Sequence, residues 1–285
     1  MENQISSVSA GLRRYFQARP TAPDLRVGRR MRSGGALLAG LGSVFLVAAS
    51  TACGRLALGF VFLVGGIVLA LRGHLEILRL QAAYRKALAQ VYPQPTDREV
   101  DLLFSAGLQK LLGHSLQRLG LTAEECQEID LPPVCGPVLW NKPGLEGQDL
   151  VWRVGSDGVA RFGVYNITFL WMAKRHVGVF QCDYSFVRDA ILNAETHEYF
   201  YRDIVSVTTR ERASALTLPR GEAVTTEQEF CISVSGDRFF KMTVGSSELK
   251  KLTGAETIPE SGADRAVQAL RSQLRNLKES PAPLE

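Results

Sequence analysis

The sequence predicts an α+β membrane protein: a helical transmembrane hairpin near its start, a helical stalk, then an antiparallel β-rich domain closed by a C-terminal helix. Three observations predict it. Residues 33–54 and 56–71 carry no formal charge, and only Arg55 separates them. Leucines recur at helical spacing between residues 96 and 119. Beyond residue 134 the apolar residues alternate with polar ones at period two, which fits strands. The corresponding division is a basic tail over 1–33, the hairpin over 34–71, the stalk over 72–130, the β-rich domain over 131–278 and a polar tail over 279–285.

A bilayer core needs a helix of about 20 apolar residues at 1.5 Å each. The first run meets that length; the second is shorter, so Arg55 and Arg72 are expected to reach outward to the interface. Charge sets the orientation. Seven arginines stand against Glu2 and Asp24 in residues 1–33, a net +5, whereas residues 72–285 carry 25 basic and 27 acidic side chains, a net −2. Arg72, Arg79, Arg85 and Lys86 follow the second run, and Arg55 alone occupies the connection. The positive-inside rule then places both ends in the cytoplasm of a two-pass inner-membrane protein, with Cys53-Gly54-Arg55 as the turn on the far side. The Ser50-Thr51-Ala52-Cys53 stretch loosely resembles a lipid-modified secretion signal. The long stretch before the apolar run, Ser50 in place of leucine, and the second run that follows at once argue against it.

Small residues stand at Gly35, Ala39 and Ser43 in the first run and at Gly59, Gly65 and Gly66 in the second. Such residues let membrane helices approach closely, and packing one span on the other is their simplest use; a homo-oligomer interface is the alternative. Neither span carries an internal charge, so no ion or proton path is implied. Before the hairpin, Leu12, Tyr15 and Phe16 among Arg13 and Arg14 read as a flexible tail or a short interfacial helix.

The second span is expected to continue as an amphipathic stalk through Ile77, Leu80, Tyr84, Leu88 and Val91 until Pro93 and Pro95 stop it. Thr96-Asp97-Arg98-Glu99 is a capping box that opens a helix ended by Gly120, and Thr122 to Glu125 is a second box. The face made by Leu103, Leu108, Leu111, Leu112 and Leu116 must bury itself, either on the rest of the chain or as an assembly face against another subunit. In the β-rich part, Tyr165 to Trp171, a run from Val177, Tyr199 to Val207, Glu229 to Val234 and Arg238 to Val244 read as strands. Asp157-Gly158 and Ser235-Gly236-Asp237 read as turns, Pro219 to Thr226 as a loop, and Glu195 and Glu198 as part of a solvated hairpin loop. A helix over 262–278 presents Val267, Leu270, Leu274 and Leu277 as its seam.

That order of elements, together with Tyr201-Arg202-Asp203-Ile204-Val205-Ser206-Val207, resembles the bacterial membrane-tethered members of the pleckstrin-homology-like (PH-like) superfamily over roughly residues 150–278. The resemblance implies a bent antiparallel sheet or barrel plugged by a C-terminal helix. It also implies a protein- or lipid-binding scaffold without family-wide catalytic residues, so no site residue is carried over.

His197-Glu198 starts a zinc-protease signature, but Tyr201 stands where its second histidine is required. The four histidines are dispersed, and the five cysteines lack any C-x-x-C spacing. No phosphate loop or nucleophile elbow occurs. No cofactor, metal or nucleic-acid partner is therefore expected, and the chain reads as a non-enzyme. Lys174, Arg175 and His176 form the one local basic cluster of the β-rich part, a candidate contact for membrane lipids or a protein partner, joined by Arg153, Arg161, Arg188 and Arg202 if they share its face. The function expected is a membrane-anchored binding or scaffold module. The alternatives are a structural subunit of an oligomeric membrane complex, and an enzyme using Asp183, Glu195 and His197.

Overall fold

The computed structural model describes residues 10–48, 53–126, 131–218, 221, 223–235 and 239–279. The chain divides into two compact units: one spans Gln17–Gln94, and the other joins the residues up to Phe16 to those from Pro95 onward.

The first unit is a pair of helices, α2 (Arg26–Ala48) and α3 (Cys53–Val91). No proline interrupts either, and α3 stops just before Pro93, which cannot continue a helix. The helices run antiparallel on a seam of glycines spaced seven apart, with Gly28 facing Gly73, Gly35 facing Gly66, and Gly42 facing Gly59. A Cβ on Gly35, Gly42 or Gly66 would run into the opposing backbone, whereas Gly34, Gly40 and Gly65 look into open space. Of the small residues named from sequence, Gly35, Ala39, Gly59 and Gly66 therefore meet at the seam; Ser43 is exposed and donates to Ala39 O at 2.9 Å.

Among the described residues one helix, within Ala57–Val91, is long and apolar enough to cross a membrane. This corrects the expectation of a two-helix hairpin in which the first run is the full-length span: the helix that qualifies is the one carrying the second run. Arg26, Arg29, Arg30 and Arg32 occupy the start of α2, so its uncharged described part is limited to residues 33–48, about 24 Å of helix. Cys53, Gly54 and Arg55 begin α3 instead of forming a turn; residues 49–52 lie outside the described set. Residues 72–91 continue α3, the unit runs on to Gln94, and the next helix belongs to the other unit.

The second unit is mixed α+β with antiparallel sheets. A helical turn, α1 (residues 10–16), leads into α4 (Asp97–Leu119) after the first unit. Strands β1 (Val134–Pro137), β4 (Val164–Met172), β5 (His176–Ser185) and β6 (Ala190–Phe200) form one sheet in the order β1-β4-β5-β6. Strands β2 (Trp152–Val154) and β3 (Ala160–Phe162) pair around the Asp157-Gly158 turn, where Gly158 has φ 74°. Strands β7 (Ile204–Thr217), β8 (Ala223–Val234) and β9 (Phe239–Gly245) form a third sheet. Helices α5 (Leu249–Thr253) and α6 (Ala263–Glu279) follow. The four- and three-stranded sheets do not join by hydrogen bonds into a closed barrel. They meet where Gly136 of β1 lies against the backbone of Thr243 and Val244 in β9, too close for any side chain.

The local rules behave as the residues dictate. Thr96 and Glu99 complete the capping box of α4, and Gly120 ends it at φ 67°. The second box yields only a single 3-10 turn, Ala123–Glu125. Three expectations change. The Tyr199–Val207 run is not one strand, because a 3-10 turn at Tyr201–Asp203 separates β6 from β7. Glu195 and Glu198 sit within β6, not in a loop, and the β7–β8 hairpin extends to Thr217 and Ala223, shortening the expected loop.

Strand β4 is buried on both faces. Tyr165, Ile167 and Phe169 join the cluster that contains Leu111 of α4, while Leu170 and Met172 join Val267 and Leu270 of α6. The leucine face of α4 is thereby spent: Leu111 is fully buried, Leu103, Leu108 and Leu112 pack on the same cluster, and Leu116 is half-buried. These residues are not free to act as the assembly face considered from sequence. The tail reading is also corrected. Leu12 and Tyr15 are 1% exposed within this core, Tyr15 Oη donates to Asp97 at 2.7 Å, Arg153 donates to Tyr15 O at 2.7 Å, and Arg13 Nε donates to Val187 O.

Arg161 organises the same corner. It is 3% exposed, bidentate to Asp101 at 2.8 Å, and paired with Asp157 at 2.7 Å. The Arg161 hydrogen bond holds Asp157 down at about 2 from 3.8. Burial pushes Asp97 up, but hydrogen bonds from Ser156 and Tyr15 and the charge of Arg161 outweigh it and leave Asp97 below its ordinary value. A carboxylate with a depressed folded pKa stabilises the fold above the unfolded value near 4 and loses that contribution as pH falls through the folded one. Thermal melts should therefore fall steeply between about pH 4 and pH 2. Arg161→Met should destabilise the unit at neutral pH by the loss of its charge-assisted hydrogen bonds to half-exposed Asp101 and Asp157 and flatten that slope. An unchanged slope would exclude Arg161 as its source.

Candidate functional site

The sequence cluster becomes the rim of a cavity. Lys174 and Arg175 occupy the tight turn between β4 and β5, closed by Ala173 N donating to His176 O at 2.9 Å. Tyr201 holds that turn twice: its N–H donates to Arg175 O at 3.2 Å, and its hydroxyl donates to Ala173 O at 3.0 Å. The ring is buried, which raises its phenol above the usual tyrosine value and keeps it a neutral donor. Arg202 is the next residue in the 3-10 turn, so one buried side chain fixes the backbone from which all three cations project.

Lys174, Arg175, Phe200, Tyr201, Arg202, Leu274 and Leu277 line a cavity of about 510 Å³. Leu274 and Leu277 come from the last turns of α6, whose register is fixed by Val267 and Leu270 in the core and by Arg271 donating to Val207 O at 2.8 Å. The lining holds three cations, apolar walls and no carboxylate. Among the described residues Lys174 and Arg175 have no ion pair; Arg202 lies 3.8 Å from Asp203 in an exposed pairing and 5.5 Å from the Phe200 ring. An exposed pair of this kind is worth well under 1 kcal/mol, so the guanidinium remains available.

His176 does not join them: its Nδ1 is 3.5 Å from Glu198, and its ring packs edge-on to Phe200. Arg202 does join. Arg153 stacks over Tyr15 at 4.6 Å, Arg161 is held by its aspartates, and Arg188 pairs with Asp149 and Glu146, so these three serve the fold elsewhere. Leu274 and Leu277 read in sequence only as core positions of a helix seam; nothing local in the sequence marks them as a cavity wall.

The enzyme alternative gains no geometry. Asp183 is buried and bound by Lys142, Asn166 and Asn193 at 2.7–2.9 Å. Glu195 and His197 pair at 3.4 Å on β6, where His197 stacks on Tyr199, and none of them lines the basic cavity. Burial pushes Cys135 and Cys182 up to about 12, so neither thiol is poised as a nucleophile. No cluster suited to a metal ion is present among the described residues. No protein-family model, curated protein or solved structure matches this chain, so the chemistry of the cavity must be read from its own residues.

Proposed function

We propose that the chain is a membrane-anchored binding module of PH-like build, whose basic cavity holds an anionic group of a protein or lipid partner. The observation that carries this is the convergence of Lys174, Arg175 and Arg202 on an apolar-walled cavity without a carboxylate. A pocket of this kind is suited to binding and orienting an anionic group.

Anchoring is supported by the mostly exposed apolar surface of the helix pair, including Leu37, Val44, Val47, Phe60, Val61 and Val68. Water is a poor solvent for so continuous an apolar face. Connectivity is consistent with a paired crossing, α2 accompanying α3. Residues 10–16 and residues from Pro95 onward fold into one unit, so the segment between them crosses an even number of times. Arg26, Arg29, Arg30 and Arg32 at the start of α2 support a cytoplasmic location for that end of the helix pair by the positive-inside rule. The rival role as an assembly subunit gains no support from the α4 leucines or the glycine seam, which pack within the chain.

The test uses full-length protein in its native membrane, with Leu277 replaced by benzoylphenylalanine. Illumination should yield a covalent adduct of protein or lipid mass, and Lys174→Glu with Arg175→Glu should lower its yield about thirtyfold below saturation, the loss expected from removing two surface cations worth ~1 kcal/mol each. No adduct, or one indifferent to the charge reversal, would overturn the proposal.

A further inference from the structure

We infer that the occupant of this cavity is an acidic protein segment bearing one large apolar side chain; the inference rests on the binding-module reading above. Shape is the first argument. An apolar cavity of about 150 Å³ holds a benzene ring, so 510 Å³ takes one aromatic or branched side chain together with its polar neighbours.

Composition is the second argument. Among the described residues of the β-rich unit, the large apolar side chains left exposed are Leu102, Phe200, Val205 and Leu277, and two of these four wall this one cavity. Aromatic and aliphatic anchors seated in such pockets carry most of the energy of protein recognition. Charge is the third. Cations rise from two elements, the β4–β5 turn and the 3-10 turn, with no acidic residue in the lining, so the anchor's neighbours must be acidic. Preorganisation is the fourth. Tyr201 holds the turn at two points, and Arg202 lies over Phe200, so little backbone freedom is lost on binding.

The experiment uses the full-length chain in phosphatidylcholine nanodiscs and a fluorescent pentapeptide, one Phe flanked by two Glu on each side. Anisotropy should show saturable binding that weakens at least about fivefold when the Phe becomes Gly, and at least about tenfold in the Lys174→Gln, Arg175→Gln variant. It should also weaken as salt rises from about 50 to 500 mM, because the charges are exposed and screened. Both substitutions lie on exposed side chains, and an unchanged melting temperature verifies that the variant is folded. Absence of binding, equal binding of the Gly peptide, or equal binding to the variant would overturn the inference. Absence of peptide binding with a phospholipid adduct at residue 277 overturns the acidic segment and leaves the binding module standing. Absence of both overturns both.

Discussion

Tyr15→Ala should destabilise the β-rich unit by about 3–5 kcal/mol, the cost of deleting a large buried aromatic ring. The ring is 1% exposed, Phe16 packs edge-on at 5.3 Å, and the Arg153 guanidinium lies over it at 4.6 Å. The hydroxyl contributes less. Asp97 Oδ2 keeps its bonds from Ser156 N and Oγ when the phenol is gone, but Oδ1 loses its donor, so Tyr15→Phe should cost about 1–3 kcal/mol. Leu12→Ala adds about 2–5 kcal/mol by the same cavity argument. These costs approach the whole stability of an ordinary domain. A fragment of residues 95–285 alone is thus expected to aggregate, and the same fragment preceded by residues 1–16 on a short Gly/Ser linker to be soluble. Thermal unfolding of the two fragments decides it. Equal melting temperatures would mean that residues 10–16 merely rest on the surface.

The second large effect belongs to the helix pair, and adjacent glycines provide the control. Gly35→Ala and Gly66→Ala should each lower the melting temperature of the detergent-solubilised protein sharply, while Gly34→Ala and Gly65→Ala should be neutral or slightly stabilising. At Gly35 the new methyl meets the backbone of Gly66 and Ala70, and at Gly66 it meets Gly35 and Ala39. Backbone cannot rotate aside as a side chain can, so the helices must separate along their length. Overpacking of this kind costs about 1–3 kcal/mol or more. At Gly34 and Gly65 nothing lies within 4 Å, and alanine is the better helix former there. If all four variants melt alike, the seven-residue glycine seam is not what joins α2 to α3.

The helices were legible because their signals are local. The capping box at Thr96 and Glu99, the stop at Pro93 and the left-handed Gly120 are each read from a few neighbouring residues. The two-sided burial of β4 was not legible. Tyr165, Ile167 and Phe169 alternate with Asn166 and Thr168 as if one face met water, yet Asn166 and Thr168 are also buried. Asn166 manages this by donating to Asp183 at 2.7 Å and accepting from Gln181, partners fixed only by strand register. Of the candidate site, Lys174 and Arg175 were visible as adjacent cations, and Tyr201-Arg202 as part of a short motif. That these lie together depends on the 3-10 turn between β6 and β7, which period-two alternation conceals.

The sequence by itself determined the oily helices, their basic flank, the β-rich second half and its closing helix, because each rests on composition or on a period of two or 3.6 residues. Only the tertiary structure decided that residues 10–16 complete the core, that the α4 leucines are covered, and that Leu274 and Leu277 wall the cavity beside Arg202. Those outcomes join positions that lie from about 25 to more than 150 residues apart in the chain, and the free energy that brings them together is packing and hydrogen bonding across that distance, which no local pattern encodes.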